Sequence, residues 1–329
     1  MSGCKVDPAV SRKIIDGFKF PLGVYPVEEM KPKAGYALLF EPADGDEFEG
    51  EWEAWPDRYC FDAVLSADRV HSLTRALMAL LPGRVYPILD VLGLDAYREI
   101  DPYISYELIG ADRLMEDVRR FHDFFFEDGM IGFGAMSEDP FFYFFIDEHK
   151  IVTIRARPEM KEKLERLLHC FDLEQMEEPA GADAAAHEHR GVLVAPDDAP
   201  DLLTFDEIVE RLKDDWRLLL NIDPDSNVDA DGRDLGVTHW RCVVRCDIGP
   251  GTRRYAEILL DAASLRTAEE LAFDTCEALG EPEGIDWDDA FIVSADRIRP
   301  EQFDEVHRRI PASKQLRLPA SVHAAQWLS

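Results

Sequence analysis

Three times in the first half of the chain, an apolar run of strand character leads through a short polar string into a helical stripe. Phe61–Leu65 enters Ser66-Ala67-Asp68-Arg69-Val70 and an amphipathic stretch that ends near Leu81. Tyr106–Ile109 enters Gly110-Ala111-Asp112-Arg113-Leu114, after which Leu114, Val118, Phe121 and Phe125 fall on one helical face. Ile151–Ile154 enters Arg155-Ala156-Arg157-Pro158, and Met160, Leu164, Leu167, Leu168 and Phe171 mark a third buried stripe. Ala67, Ala111 and Ala156 stand 44 and 45 residues apart. The spacing predicts strand–helix units repeating at about 45 residues, each with further strands of its own. This alternation restricts the chain to a mixed α+β fold, with helices packed on one face of a mixed or antiparallel sheet.

The remaining segments fit that frame. Tyr36–Phe40, Arg84–Leu92, Met130–Met136 and Phe141–Ile146 read as strands. The last is apolar throughout, as a central strand would be. Residues 179–203 are rich in Ala, Pro and acid and read as a linker, with one short strand expected at Val192–Val194. Two domains are expected, 1–178 and 204–329, since a single core rarely organises 329 residues. The second domain opens with a helix capped by Thr204 and Glu207. It continues with a hairpin in which Trp240, Cys242, Val244 and Cys246 face inward and Pro250-Gly251 makes the turn. Thr267 and Glu270 are expected to cap the next helix. Phe291–Val293 then runs into Ser294-Ala295-Asp296-Arg297, and Pro300 starts a final helix.

Charge narrows the function classes. Lys+Arg 36 against Asp+Glu 67 gives a net charge of −31, a field that repels phosphate backbones and anionic lipid surfaces. Nucleic acid and membrane are therefore not expected partners, whereas a protein with a basic surface is. The six cysteines form no CxxC pair, and the first residues lack the apolar core of a signal peptide, which together predict a cytoplasmic protein.

The polar strings supply candidate ligand-binding residues: Asp68 with Arg69, Asp112 with Arg113, and Asp296 with Arg297, at the ends of strands where sites are often built. They also serve as helix starts, since acid in a first turn complements the helix dipole. Asn227, Asp229 and Asp231, followed by Gly232, resemble the opening of a calcium loop, although Thr238 stands where such a loop needs a bidentate acid. No other cofactor is evident. His239 points away from Cys242 and Cys246, which read as buried free thiols. His187-Glu188-His189 lies in the linker and reads as at most an adventitious metal contact. His71, His122 and His169 fall on three separate helices. No P-loop, GxSxG or HExxH string occurs, and a lone Gly132-Phe-Gly134 follows a helix instead of a strand. The expected function is non-catalytic binding or regulation, with Trp52 and Trp55 as possible contact aromatics. The alternative is an enzyme or small-ligand protein built on the dispersed Asp and Arg residues.

Overall fold

Phe61 and Ala63, Phe133 and Ala135, and Phe142, Phe144 and Ile146 stand two apart in sequence, so their strands can share one buried face, and the computed structural model shows how they do. It describes residues 3–44, 55–195, 199, 201–248, 252–279, 285–310 and 319–328. The fold is α+β, with two compact units: Met1–Leu92 with Pro102–Asn221, and Gly93–Asp101 with Ile222–Ser329. The first carries β1 (Ile14–Ile15), β2 (Phe18–Lys19), β3 (Val24–Pro26), β4 (Gly35–Glu41), β5 (Arg58–Val64), α1 (Ala67–Met78), β6 (Arg84–Leu92) and β7 (Ile100–Ile104), whose first residues belong to the second unit. It continues with β8 (Ile109–Gly110), α2 (Ala111–Arg120), α3 (His122–Glu127), β9 (Ile131–Glu138), β10 (Phe141–Ile146), β11 (Val152–Ala156), α4 (Lys161–His169), β12 (His187–His189), α5 (Phe205–Trp216) and β13 (Leu219–Leu220).

The main sheet runs β13-β7-β6-β9-β10-β11-β5-β4, with β8 beside β6. Phe61, Phe133, Phe142, Phe144 and Ile154 are fully buried on one face, against Leu73 and Leu77 of α1, Val118 of α2, Phe124 and Phe125 of α3, and Leu164 and Leu168 of α4. Each such phenylalanine contributes about 1.5–3 kcal/mol by burial. β10 is interior to the sheet, as its composition predicts. Its second face is only half-buried at Tyr143 and Phe145.

Several elements differ from expectation. Tyr106–Ile109 is not a strand; only Ile109–Gly110 pairs, with β6. The stripe from Leu114 to Phe125 is not one helix, because the chain breaks at Phe121 (φ −104°, ψ 41°). Phe124, Phe125 and Phe126 are all buried, and three successive residues sweep about 200° around a helix, wider than the stripe that α2 presents. The division into units also differs from the expected one at 178 and 203. Residues 182–189 carry a 3-10 turn and β12, which pairs with β3. α5 buries Ile208, Leu212 and Trp216 in the first unit's core, where the Trp216 indole N–H donates to Asp117 at 2.9 Å. The Thr204–Glu207 capping box that starts this helix is present.

The second unit holds β14 (Thr238–Asp247), β15 (Arg253–Ala262), α6 (Leu265–Ala278), β16 (Asp286–Ile298), α7 (Pro300–Arg309) and β17 (Val322–Trp327), in sheet order β16-β14-β15-β17. The hairpin register sets Trp240 opposite Leu260 and Cys242 opposite Ile258; Trp240, Cys242, Val244 and Cys246 are buried. The Pro250-Gly251 turn lies outside the described residues. Ser264, not Thr267, caps α6, accepting from the Thr267 N–H. Residues 93–101 are bound into this unit by Arg297, which donates Nε to both Asp95 carboxylate oxygens (3.0 and 2.9 Å) and Nη1 to the Val228 carbonyl at 2.6 Å. No helix among the described residues is long and apolar enough to cross a membrane.

Candidate metal centre

In the first unit, three chain segments cross where only glycine fits. A Cβ on Gly23 would lie 2.0 Å from the Gly129 nitrogen, and one on Gly129 would lie 2.0 Å from the Gly23 carbonyl oxygen. The Arg190 N–H donates to Gly23 O at 2.8 Å and the Gly129 N–H to Arg190 O at 3.2 Å, which fixes the strand entering Arg190. The buried Asp128 carboxylate secures the same crossing, accepting from the backbone N–H groups of Met130 (2.9 Å) and Val192 (2.8 Å). That strand is β12, and its register with β3 sets His187 opposite Pro26 and His189 opposite Val24. Residues two apart on a strand share a face. His187 and His189 therefore point the same way, while Glu188 turns out to pair with Arg190.

The third imidazole comes from the turn between β10 and β11. Asp147 accepts from the Ile151 N–H at 2.7 Å, and Lys150 takes the left-handed conformation (φ 66°), which closes a tight loop around His149. The Lys150 ammonium is buried beneath, donating to Ile131 O at 2.6 Å. Burial pushes its pKa down to about 8.

These three side chains meet at their Nε2 atoms. His149 Nε2 lies 2.9 Å from His187 Nε2, and His187 Nε2 lies 3.1 Å from His189 Nε2. The opposite ring nitrogens are already committed. His187 Nδ1 lies 2.7 Å from the Ala185 carbonyl, and His189 Nδ1 lies 2.7 Å from the Gly129 carbonyl. A carbonyl only accepts, so both Nδ1 atoms carry the hydrogen, and in the neutral ring Nε2 keeps its lone pair. His149 Nδ1 faces the Asp147 and Glu148 carboxylates at 3.3 and 3.4 Å, which fixes the same tautomer. With all three rings neutral, three lone pairs thus converge, an arrangement that a proton on His149 or a cation among the rings relieves.

The donor set fits a metal ion. Tetrahedral Zn–N bonds of about 2.0–2.1 Å put ligand nitrogens about 3.3–3.4 Å apart, within a few tenths of the spacing found here. The outer ring of two carbonyls and two carboxylates is the second shell that metal-bound histidines characteristically use. Burial opposes charge on His149, but the hydrogen bond to Asp147 and the charges of Asp147, Glu148 and Asp183 outweigh it and raise its pKa. Burial lowers that of His189, and the neighbouring His149 and His187 add to the effect. The same acids favour any cation placed among the rings.

His187 and His189 aside, the residues singled out in the sequence lie outside this cluster; in the second unit Arg297 and Asn227 meet, at 3.1 Å. Asp68 pairs with Lys19 at 2.7 Å and accepts from the Ser66 hydroxyl at 2.7 Å; Arg69 pairs with Asp172 at 3.2 Å. Asp112 lies in the first turn of α2, and Arg113 pairs with Asp215. Asp296 is buried in the second unit, where desolvation and the charges of Asp101 and Asp95 push its pKa up to about 6. Arg297 is spent on Asp95. In the calcium-like loop, Asn227 donates to Gly236 O and Thr238 Oγ1 and accepts from Arg297, Asp229 accepts from the N–H groups of Asp231 and Arg233, and Asp231 pairs with Arg233. Trp55 lies between Arg58 and Arg155, against Phe141 and Tyr143; Trp52 lies outside the described residues.

Comparison of the chain with protein-family models, with curated proteins and with solved structures finds no match in any of the three.

Proposed function

We propose that the protein binds a borderline first-row divalent ion, Zn2+ or a close relative, through His149, His187 and His189, and acts as a metal-dependent binding or regulatory protein. The observation that carries this reading is the convergence of three Nε2 lone pairs whose tautomers are set from behind. Nitrogen-only ligation without thiolate selects this class of ion over Cu+, and the absence of a ligating carboxylate selects against Mg2+ and Ca2+. A bound ion would join β12 to the β10–β11 turn and so hold the segment 180–195 against the main sheet. The net charge of −31 supports a basic protein as the partner.

The test is metal analysis of the full chain by plasma mass spectrometry, followed by chelation and Zn2+ titration. One equivalent lost in His187→Ala/His189→Ala supports the reading. A wild-type chain that binds no Zn2+ at this cluster overturns it.

A second reading rests on the number of ligands. Three protein ligands leave a coordination position open, as in catalytic zinc sites, where bound water is acidified to a pKa of about 7. Hydrolysis of activated esters that appears with the metal and titrates near neutrality would move the protein into that class.

A further inference from the structure

The second unit has its own convergence of ligating side chains, unconnected to the first. His239 of β14 stands directly opposite Asp261 of β15 in the hairpin register. β17 flanks β15 on its other side and supplies His323. The carboxylate in the middle is therefore reached from both neighbouring strands: His239 Nδ1 lies 2.5 Å from Asp261 Oδ1, and His323 Nε2 lies 2.8 Å from Oδ2. The ligating atoms of all three residues lie within 4.8 Å of one another. The site is open to solvent on one side, with side-chain exposures of 32%, 28% and 32% for His239, Asp261 and His323.

The other side is walled. Phe303 of α7 stacks on His239 at 4.3 Å and meets His323 edge-on at 5.0 Å, and His307 stacks on the same phenylalanine at 5.6 Å. The wall holds both imidazoles in place and excludes water behind them. Phe303 also joins Leu259, Ile298, Ile310 and Ala324 in a small apolar cluster on this face, while the opposite face of the hairpin buries Trp240, Cys242 and Leu260.

We infer that His239, Asp261 and His323 form a second metal site, a two-histidine, one-carboxylate set that takes a first-row divalent cation such as Fe2+, Co2+ or Zn2+ and leaves coordination positions open. It differs from the first cluster in carrying one anionic ligand, which suits harder cations. On binding, the ion replaces the hydrogens that bridge the rings to the carboxylate. In a neutral ring the hydrogen shifts to the other nitrogen, and in a charged ring one proton is released to solvent.

Co2+ is the probe, because its visible absorption reports coordination number. The full chain, stripped with chelator, is titrated with Co2+ in excess Mg2+ to mask exposed carboxylates, with calorimetry run in parallel. Two equivalents are expected in the wild type. One is expected in His187→Ala/His189→Ala, and one in Asp261→Asn, which keeps the size of the aspartate but replaces one acceptor oxygen with a donor and removes the charge. The equivalent retained in Asp261→Asn shows that this variant has folded. A wild type that binds one equivalent, unchanged by Asp261→Asn and lost in His187→Ala/His189→Ala, overturns the second site and leaves the first standing. One equivalent lost only in Asp261→Asn supports the second site and overturns the first.

Discussion

The two histidine clusters use the same side chain in opposite ways. At His149, His187 and His189 the acceptors lie behind the rings, in the Ala185 and Gly129 carbonyls and the Asp147 and Glu148 carboxylates, so the lone pairs face inward. At His239 and His323 the acceptor lies between the rings, so hydrogens on the inner nitrogens satisfy Asp261 without any ion. The first cluster is electrostatically incomplete alone, whereas the second is complete and must exchange a hydrogen for a metal. Where the nearest acceptor sits therefore decides how strongly a group of histidines calls for a cation. The first site should bind more tightly.

The largest expected effect comes from removing ligands at the first cluster. His187→Ala/His189→Ala should weaken Zn2+ binding by well over the roughly 10–100-fold that loss of an outer-shell partner costs. It should also remove the stability that an ion at this cluster confers, about 2.7 kcal/mol when free metal is 100 times that site's Kd. Calorimetry and thermal melts with and without chelator measure both.

Next in size is Gly129→Ala, which keeps every ligand but drives a Cβ into the Gly23 backbone. It should shift β12 and cost about 10–100-fold in Zn2+ affinity, comparable to loss of outer-shell support. Unchanged affinity would show that the crossing does not position the rings.

Two aspartates of the second unit should respond with opposite signs. Asp261 is held below its ordinary range: burial raises its pKa, but the hydrogen bonds from His239 and His323 lower it further. Its contribution is present above the unfolded carboxylate pKa and lost as pH falls, so Asp261→Asn should destabilise the chain at pH 7 by about 1 kcal/mol. Asp296 has a pKa raised to about 6 by burial and by Asp101 and Asp95. A raised acid favours folding below the unfolded pKa of about 3.9 and opposes it as pH climbs through 6. Asp296→Asn should therefore stabilise at pH 7 by about 1–3 kcal/mol and not at pH 4, as read by chemical denaturation at both values.

The smallest effect is a difference between two melting curves. Because the His149 pKa is raised, its protonation stabilises the metal-free chain at low pH and is lost as pH rises through the folded value. Metal requires the neutral ring and acts in the other direction. The gap in Tm between Zn-loaded and metal-free protein should widen from pH 6 to pH 8; a constant gap would detach His149 from the site.

Much of the fold was legible because it is local. Arg84–Leu92 alternates and is β6 as read, the β14–β15 hairpin keeps its inward face, and Thr204 with Glu207 starts α5. What could not be read depends on distant partners. β12 is three residues long, too short for a period, and its mate β3 lies about 160 residues earlier. Without that pairing, His-Glu-His looks like loop composition. His149 carried no signal at all, being an ordinary turn residue until a second segment arrives 38 positions later. Ala67-Asp68-Arg69 and Ala111-Asp112-Arg113 were conspicuous for the opposite reason, since each opens a helix, a local solution that recurs in sequence; Ala295-Asp296-Arg297 lies instead within β16.

The Arg297–Asp95 pair also bears on how the chain is made. Residues 93–101 leave the ribosome more than 120 positions before the second unit's remaining residues, which begin at Ile222. Until Arg297 is synthesised, the Asp95 carboxylate has only the Arg98 guanidinium, 3.9 Å away, beside it. Conversely, a fragment beginning at Ile222 would bury Arg297 beside Asn227 and Trp240 with its counter-ion missing, a loss of about 3–5 kcal/mol. The second unit is thus born incomplete from either end. Limited proteolysis should yield two nicked pieces that stay together, not two free-standing domains.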